Sequence, residues 1–319
     1  MMKKSPIEWC DINWNPVTGC KRDCPFCTGL NRLKHFAGDI RLYMSSELIV
    51  KDEDNGLFIL NEPFPTIDNH ALPSPTGGLP TFHTYRLPMV AKRWKPKNIY
   101  VCHCGDLFGE WIPTDWILQV FEACKAAPWH NYMFLTMNPG RYKELLDAGQ
   151  LLQADNCWYG TRLTDKSEVF TADGYHTFVC IEPMGLFAER MEIPNVEWII
   201  LGAYGRLKRK WIESIMERKG DIPVFMIGSK LFKEVWDAPL VQEYPALLFK
   251  GKDKMPRCSK CTYCYSKQQG KRGVWRACKH SKIIKKDKNP EGRHIDGRFA
   301  RTSPQWCPKR TGTNWRLKE

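Results

Sequence analysis

The sequence predicts an α/β fold, a partial (β/α) barrel of parallel strands followed by a small cysteine-rich metal-binding module. From about residue 97, short apolar runs alternate with helical patterns. These runs are apolar throughout rather than alternating in polarity, as expected for parallel strands covered on both faces. Past about residue 250, cysteine, lysine and arginine replace the apolar runs. We therefore expect two domains, a barrel domain at 1–249 and a basic module at 250–319.

The predicted elements follow one another in a regular order. A short strand at 12–18 leads into Cys20, and a helix over roughly 115–126 has Thr114 as its N-cap. A second helix begins at Pro139. Further strands are expected at 99–102, 132–135, 157–160, 177–181, 198–201 and 224–227. About seven parallel strands are typical of a partial or full barrel, whose functional groups lie at the C-terminal ends of the strands.

Residues 28–97 interrupt this alternation of strands and helices. The turn pair Asn55-Gly56 lies between apolar runs and predicts a hairpin. Residues 61–82 are rich in proline and glycine, which favours an irregular loop over one end of the sheet.

The most informative motif is a loop of three cysteines, Cys20, Cys24 and Cys27, with the aromatic Phe26 before the third. Three thiolates cannot complete a four-coordinate metal site. They can hold three corners of an iron–sulfur cubane and leave the fourth iron open to a ligand that is not protein. A closed zinc or redox-inert cluster site is the alternative, and it is disfavoured because no fourth ligand lies close in sequence.

Composition indicates a protein that stays in the cytoplasm. No run of eighteen apolar residues is present, so no membrane partner is expected. The first residues lack the apolar stretch of a signal peptide. The chain has 14 cysteines. In a reducing compartment that number favours metal or cluster ligation over disulfides.

The cysteine loop, with an aromatic before its third cysteine, resembles the cluster motif of the radical S-adenosylmethionine superfamily. Further segments resemble an uncharacterised branch of that superfamily encoded by phages and prophages, and the similarity spans about 7–230. These segments are Ile7-Glu8-Trp9, Trp14-Asn15-Pro16-Val17-Thr18-Gly19-Cys20, Gly105-Asp106-Leu107-Phe108 and Glu182-Pro183.

The resemblance implies a [4Fe–4S] cluster on the three cysteines, with the amino and carboxylate groups of S-adenosylmethionine on the fourth iron. An electron from a donor protein would then release a 5′-deoxyadenosyl radical. Polar residues at predicted strand ends are the candidates for holding S-adenosylmethionine, although each alone also fits a cap or turn residue. They are Gly105, Asp106, Thr161, Glu182 and Gly202.

Cys102-His103-Cys104 resembles a ligand set, but in a strand the histidine would point away from both cysteines. We therefore expect that this set of three residues does not bind a metal.

The C-terminal module carries a second group of cysteines. A CxxC pair with distant partners suits a zinc ribbon, whereas the tight spacing and a later Cys-Pro suit an auxiliary iron–sulfur cluster. Zinc is slightly favoured, and four of the five cysteines would be ligands. They are Cys258, Cys261, Cys264, Cys278 and Cys307.

The same module holds all the excess positive charge of the chain. Residues 250–319 contain 21 lysines and arginines against 5 acidic residues. Tyrosines and tryptophans lie between these cations, as in surfaces that neutralise phosphates and stack on bases. The expected partner is a nucleic acid, and the alternative is a basic face that only keeps the module soluble.

These observations predict a radical S-adenosylmethionine enzyme whose substrate is a nucleotide or nucleic acid. Two alternatives stay open. One is a metal-stabilised nucleic-acid-binding protein without catalysis, and the other is a peptide-modifying radical enzyme with an auxiliary cluster.

Overall fold

The structure is a computed structural model. It describes residues 5, 7–22, 24–25, 27, 29, 31, 33, 47–65, 75–164, 168–248, 264–268, 274–279, 284, 287–291 and 293–295. The chain divides into two compact units, one of Met1–Arg93 with Lys97–Tyr244 and one of Trp94–Pro96 with Pro245–Glu319.

The described strands and α-helices are, in chain order, β1 (Ile12–Trp14), β2 (Val17–Thr18), β3 (Val50–Lys51), β4 (Phe58–Leu60), β5 (Thr81–His83), β6 (Asn98–Val101), α1 (Thr114–Ala126), β7 (Asn131–Thr136), α2 (Pro139–Asp147), β8 (Cys157–Leu163), β9 (His176–Ile181), β10 (Trp198–Leu201), α3 (Arg209–Arg218), β11 (Val224–Met226), α4 (Lys230–Val235), β12 (Cys264–Gln268), β13 (Val274–Cys278) and β14 (Arg293–His294).

Seven of these strands form one parallel sheet in the order β1-β6-β7-β8-β9-β10-β11. Every neighbouring pair in it is parallel. The sheet is a half-barrel, so the predicted α/β fold of parallel strands is confirmed. The central strands are buried along their whole length, as their continuous apolar sequences require.

The first predicted strand differs from the structure. The expected single strand at 12–18 is two strands in different sheets, with β1 beside β6 and β2 beside β5. Pro16 lies between them and has no N–H to donate to a ladder, so the chain leaves the large sheet there. The predicted helix cap also shifts, because Pro113 is the N-cap and Thr114 is already helical.

The interruption of the alternating pattern forms a small four-stranded sheet in the order β2-β5-β4-β3. The predicted hairpin is confirmed, since β3 and β4 are antiparallel around Asn55-Gly56. Within the expected irregular loop, Thr81–His83 instead forms β5, which pairs with β4 in parallel. Residues 66–74 of that loop lie outside the described residues.

Two large apolar clusters cover the helix-facing side of the half-barrel. One gathers side chains of β6 to β8 with α1 and α2, and the other gathers those of β9 to β11 with α3 and α4. Burial of these apolar faces supplies the main stabilisation of the sheet.

The concave side of the half-barrel is filled by the segment that precedes β1. Trp9 is only 2% exposed, and its ring lies 4.7 Å from the ring of Tyr100 and 6.2 Å from those of Phe178 and Trp198. The carboxylate of Glu8 accepts a hydrogen bond from the backbone N–H of Gly228, just after β11. The segment therefore crosses from one edge of the sheet to the other.

In the second unit, β12, β13 and β14 form a three-stranded antiparallel sheet. Its register places Cys264 directly opposite Cys278. Among the described helices of the chain, none is both long enough and apolar enough to cross a membrane.

We predict that Trp9→Ala lowers the free energy of unfolding by about 3–5 kcal/mol, the usual cost of removing a buried tryptophan side chain. Urea denaturation followed by circular dichroism measures it. The matched control is Trp94→Ala, because Trp94 is 53% exposed and its removal should cost much less. Equal losses for the two variants would contradict the role assigned to Trp9.

Candidate functional site

The three-cysteine loop follows β2 and is fixed by backbone contacts on both sides. The N–H of Gly19 donates to the carbonyl oxygen of Cys104 at 2.9 Å, and that of Cys20 donates to Gly78 at 3.1 Å. Within the loop, the N–H of Cys27 donates to the carbonyl oxygen of Cys24 at 3.0 Å. These main-chain hydrogen bonds fix the backbone that carries the three thiols.

Gly19 and Gly105 allow the closest approach of backbone at the site. Gly19 has φ +86°, and a Cβ built on it would lie 2.2 Å from the carbonyl oxygen of Leu79. A Cβ on Gly105 would lie 2.7 Å from the carbonyl oxygen of Gly19. A side chain on Gly19 would push the cysteine loop away from Gly78 and Leu79, and one on Gly105 would separate that loop from the turn that follows β6.

The turn after β6 brings His103 and Cys104 to the same place as the cysteine loop. The expectation that Cys102-His103-Cys104 lies in a strand is wrong, because β6 ends at Val101 and Cys102 has φ +57°. Cys102 is buried in the helix-side cluster, whereas the Sγ of Cys104 lies 2.9 Å from the Nδ1 of His103.

The loop, the turn and the strand ends line a cleft at the C-terminal edge of the half-barrel, and this cleft holds about 550 Å³ when the open space at its mouth is included. Positively charged, thiol and aromatic groups share its walls. Its lining residues are Cys20, Arg22, Cys24, Cys27, Tyr100, His103, Cys104, Gly105, Asp106, Leu135, Thr136, Met137 and Arg162.

Asp106 joins the turn after β6 to the end of β7. Its Oδ1 accepts hydrogen bonds from the Thr136 hydroxyl at 2.7 Å and the Phe108 N–H at 3.1 Å, and its Oδ2 accepts one from the Met137 N–H at 3.3 Å. Burial raises the pKa of this carboxyl, and the hydrogen bonds oppose that effect. Asp106 therefore has donors on both oxygens from within the protein.

The other predicted S-adenosylmethionine residues occupy two faces of the sheet. Thr161 lies on the helix-facing side, where its hydroxyl accepts a hydrogen bond from the Phe170 N–H at 3.2 Å. Its neighbour Arg162 lines the cleft, with Nη2 3.5 Å from the Oε2 of Glu182. Gly202 lies against Glu182, since a Cβ there would be 2.8 Å from the carboxyl carbon.

Burial controls the ionisation of the loop thiols in the protein without metal. It raises the pKa of Cys20 to about 12. It also raises that of Cys24, where the neighbouring Cys27 adds to the effect and Arg22 and Arg162 oppose it. Metal binding must therefore displace protons from Cys20 and Cys24.

The donor set of the cysteine loop consists of three thiols that line one cleft. Within the described part of the chain, no three His, Cys, Asp or Glu side chains converge closely enough to hold one metal ion. A cubane takes each cysteine on a separate iron. Thiolates are also the ligands that iron–sulfur clusters use.

Sequence reasoning missed several residues of the cleft. Arg22 lies between Cys20 and Cys24, and nothing in the spacing of the cysteine motif indicated that it lines the cleft. Met137 follows β7, and its sulfur lies 3.7 Å from the Sγ of Cys24. His103 and Cys104 were discounted, although the neighbouring Gly105 is a turn signal that could have ended the strand earlier.

The cysteines of the second unit are only partly described. Cys258, Cys261 and Cys307 lie outside the described residues. Cys264 has a described backbone position in β12, and Cys278 is buried.

Comparison with known proteins identifies the family. The family described as "Protein of unknown function (DUF5131)" matches residues 4–304. The chain belongs to this family. No curated protein matches the sequence of this DUF5131 member.

Solved structures of one enzyme are distantly similar to this DUF5131 member. The structure "Spore photoproduct lyase complexed with dinucleoside spore photoproduct" aligns with a TM-score of 0.38 and 9% identity, over 91% of this chain and 74% of that chain. A single-residue variant of the same enzyme aligns over the same shares, with a TM-score of 0.37 and 11% identity. TM-scores this low carry no weight for function.

We predict that Gly19→Ala destabilises the protein more than Gly149→Ala. Both glycines have positive φ, but nothing lies within 4 Å of a Cβ on Gly149. The control, Gly149→Ala, should lower the free energy of unfolding by about 1–2 kcal/mol, because alanine is strained in a left-handed backbone conformation. Gly19→Ala should cost roughly 1–3 kcal/mol more, because the backbone of Gly78 and Leu79 must move. Urea unfolding curves give both values, and equal costs would show that the close approach is unimportant.

Proposed function

We propose that this protein is a radical S-adenosylmethionine enzyme in which Cys20, Cys24 and Cys27 hold a [4Fe–4S] cluster. The observation that carries the proposal is the position of the three-thiol loop, at the mouth of a cleft where the C-terminal ends of parallel strands meet. In α/β barrels, this edge of the sheet is where reacting groups are held. Three cysteines leave the fourth iron available to S-adenosylmethionine.

Once bound and reduced, the cluster and S-adenosylmethionine would supply a 5′-deoxyadenosyl radical. The residues proposed to bind S-adenosylmethionine are the backbone at Gly105 and Gly202 and the carboxylate of Glu182. Asp106 contributes by fixing the turn, because its oxygens already accept three hydrogen bonds. Thr161 contributes through β8, whose next residue, Arg162, lines the cleft.

The protein's own share is to exclude water and hold the groups in place. Tyr100 lines the cleft and packs on Trp9, which is buried on the concave side of the half-barrel. At the mouth, the hydroxyl of Tyr204 donates to the carbonyl oxygen of Pro25 at 3.3 Å and ties the loop after β10 to the cysteine loop. Limiting the access of water to a cleft protects reactive intermediates from side reactions.

For the second unit we propose a metal site made by four of Cys258, Cys261, Cys264, Cys278 and Cys307. The cross-strand position of Cys264 and Cys278 supports it, because it places two of the five cysteines next to each other. Zinc and an auxiliary cluster are the two candidate occupants. The basic charge of this unit supports a nucleotide or nucleic acid as substrate, and an electron donor is a further required partner.

We predict that protein purified without oxygen is brown and, once reduced, cleaves S-adenosylmethionine to 5′-deoxyadenosine. Cys24→Ala should abolish this cleavage and remove the iron of one cluster, because two cysteines cannot hold it. Iron analysis and chromatography of 5′-deoxyadenosine are the measurements. The matched control is Cys124→Ala, a buried cysteine of α1 that should keep both. A colourless wild-type protein that never yields 5′-deoxyadenosine would refute the proposal.

For the nucleic-acid substrate, we expect the full chain to bind a single-stranded oligonucleotide with an affinity that falls steeply with salt. The slope of log K against log salt should be about −0.7 for each phosphate neutralised. Fluorescence anisotropy measures it, with heparin as the competing polyanion. Heparin binding of equal strength would favour a general polyanion surface, and no binding at low salt would refute a nucleic-acid partner.

A further inference from the structure

Two guanidinium groups line the cleft beside the cysteine loop. Arg22 lies within the loop itself, and Arg162 projects from β8. Both lie near enough to Cys24 to lower its pKa against the larger effect of burial. The cleft therefore holds two cations that both lower the pKa of the Cys24 thiol.

Neither guanidinium has its donors satisfied by the described residues. The Nε of Arg22 is buried without a hydrogen-bond partner. It lies 3.8 Å from the Oδ2 of Asp106, and the Nη2 of Arg162 lies 3.5 Å from the Oε2 of Glu182. Charged N–H···O bonds are shorter, about 2.7–2.9 Å. Each carboxylate thus neutralises its arginine without occupying the donors.

The carboxylates and an aromatic ring still hold the two arginines in position. The guanidinium carbon of Arg22 lies 5.7 Å from the ring centroid of Trp111, within the range of a cation–π contact. Asp106 cannot turn to meet Arg22, because its own oxygens accept hydrogen bonds from Thr136, Phe108 and Met137. The buried Nε of Arg22 is costly to leave unpaired, and the side chains of Arg22 and Arg162 are 31% and 23% exposed, so a ligand in the cleft can reach both.

We propose that Arg22 and Arg162 form an anion-binding subsite that receives a phosphate or carboxylate group of the substrate. Arginine's planar fork suits both groups, since each can accept two parallel hydrogen bonds from it. The assignment of this anion to a substrate rests on the proposed function, whereas anion binding in the cleft does not depend on it. The carboxylate of S-adenosylmethionine is a weaker candidate, because the proposed function places it on the fourth iron.

The experiment measures binding of inorganic phosphate, and separately of acetate, to the full chain by isothermal titration calorimetry. About 0.3 M sodium chloride suppresses weak binding to the basic tail. Arg22→Gln and Arg162→Gln should each weaken the preferred anion about tenfold or more, the usual effect of losing a charged hydrogen bond. The matched control, Arg206→Gln, removes the same charge from an exposed arginine outside the cleft and should change nothing.

Lysine variants keep the test valid if a glutamine variant fails to fold. Arg22→Lys and Arg162→Lys retain the charge but lose the planar fork, so a partial loss of affinity is expected. The stronger of the phosphate and acetate signals identifies the chemistry of the substrate group.

Two results would overturn the proposal. The first is affinity in the glutamine variants equal to that of the wild type. The second is complete displacement of the anion by saturating S-adenosylmethionine in the cluster-loaded protein, which would assign the pair to that cofactor. Cleft-specific anion binding by a protein that never forms 5′-deoxyadenosine would leave the subsite standing while the proposed function fails.

Discussion

The site depends on one backbone contact, the approach of Gly19 to Gly105. Gly19 follows the small sheet and Gly105 follows a strand of the half-barrel, so the contact joins the two sheets at the cysteine loop. Hydrogen bonds from Gly19 and Cys20 extend the junction to Cys104 and Gly78. A side chain on either glycine would overlap backbone atoms, which cannot rotate away. Main-chain contacts therefore set the positions of the three thiols.

Much of the fold could be predicted because its strands are short, apolar throughout and separated by helical patterns. Those signals are local, and each predicted strand of the half-barrel is present. The split of β1 from β2 was missed because a strand pattern does not reveal which sheet each half joins. Pro16 separates the two strands, but the sheet that each one joins depends on its partner strand, β6 or β5, far along the chain.

The positions of the site residues could be predicted where the motif was local and could not be predicted where side-chain direction mattered. The three cysteines and Gly105 line the cleft together. Thr161 lies on the opposite face from Arg162 because successive residues of a strand alternate, and the sequence does not say which one faces inward. Cys104 was discounted on the assumption of a strand. A left-handed residue at position 102 ended that strand and reversed the direction of what followed.

The segment before β1 links the beginning of the barrel unit to its end. Glu8 accepts hydrogen bonds from Gly228 and Gln242, which are 220 and 234 residues away in sequence. During synthesis at about 5–20 residues per second, these partners emerge roughly 10–45 s after Glu8. Trp198, whose ring packs against Trp9, is made 189 residues after it. The nascent chain therefore carries Trp9 without this neighbour while those residues are made, so burial of Trp9 is a late step of folding during synthesis.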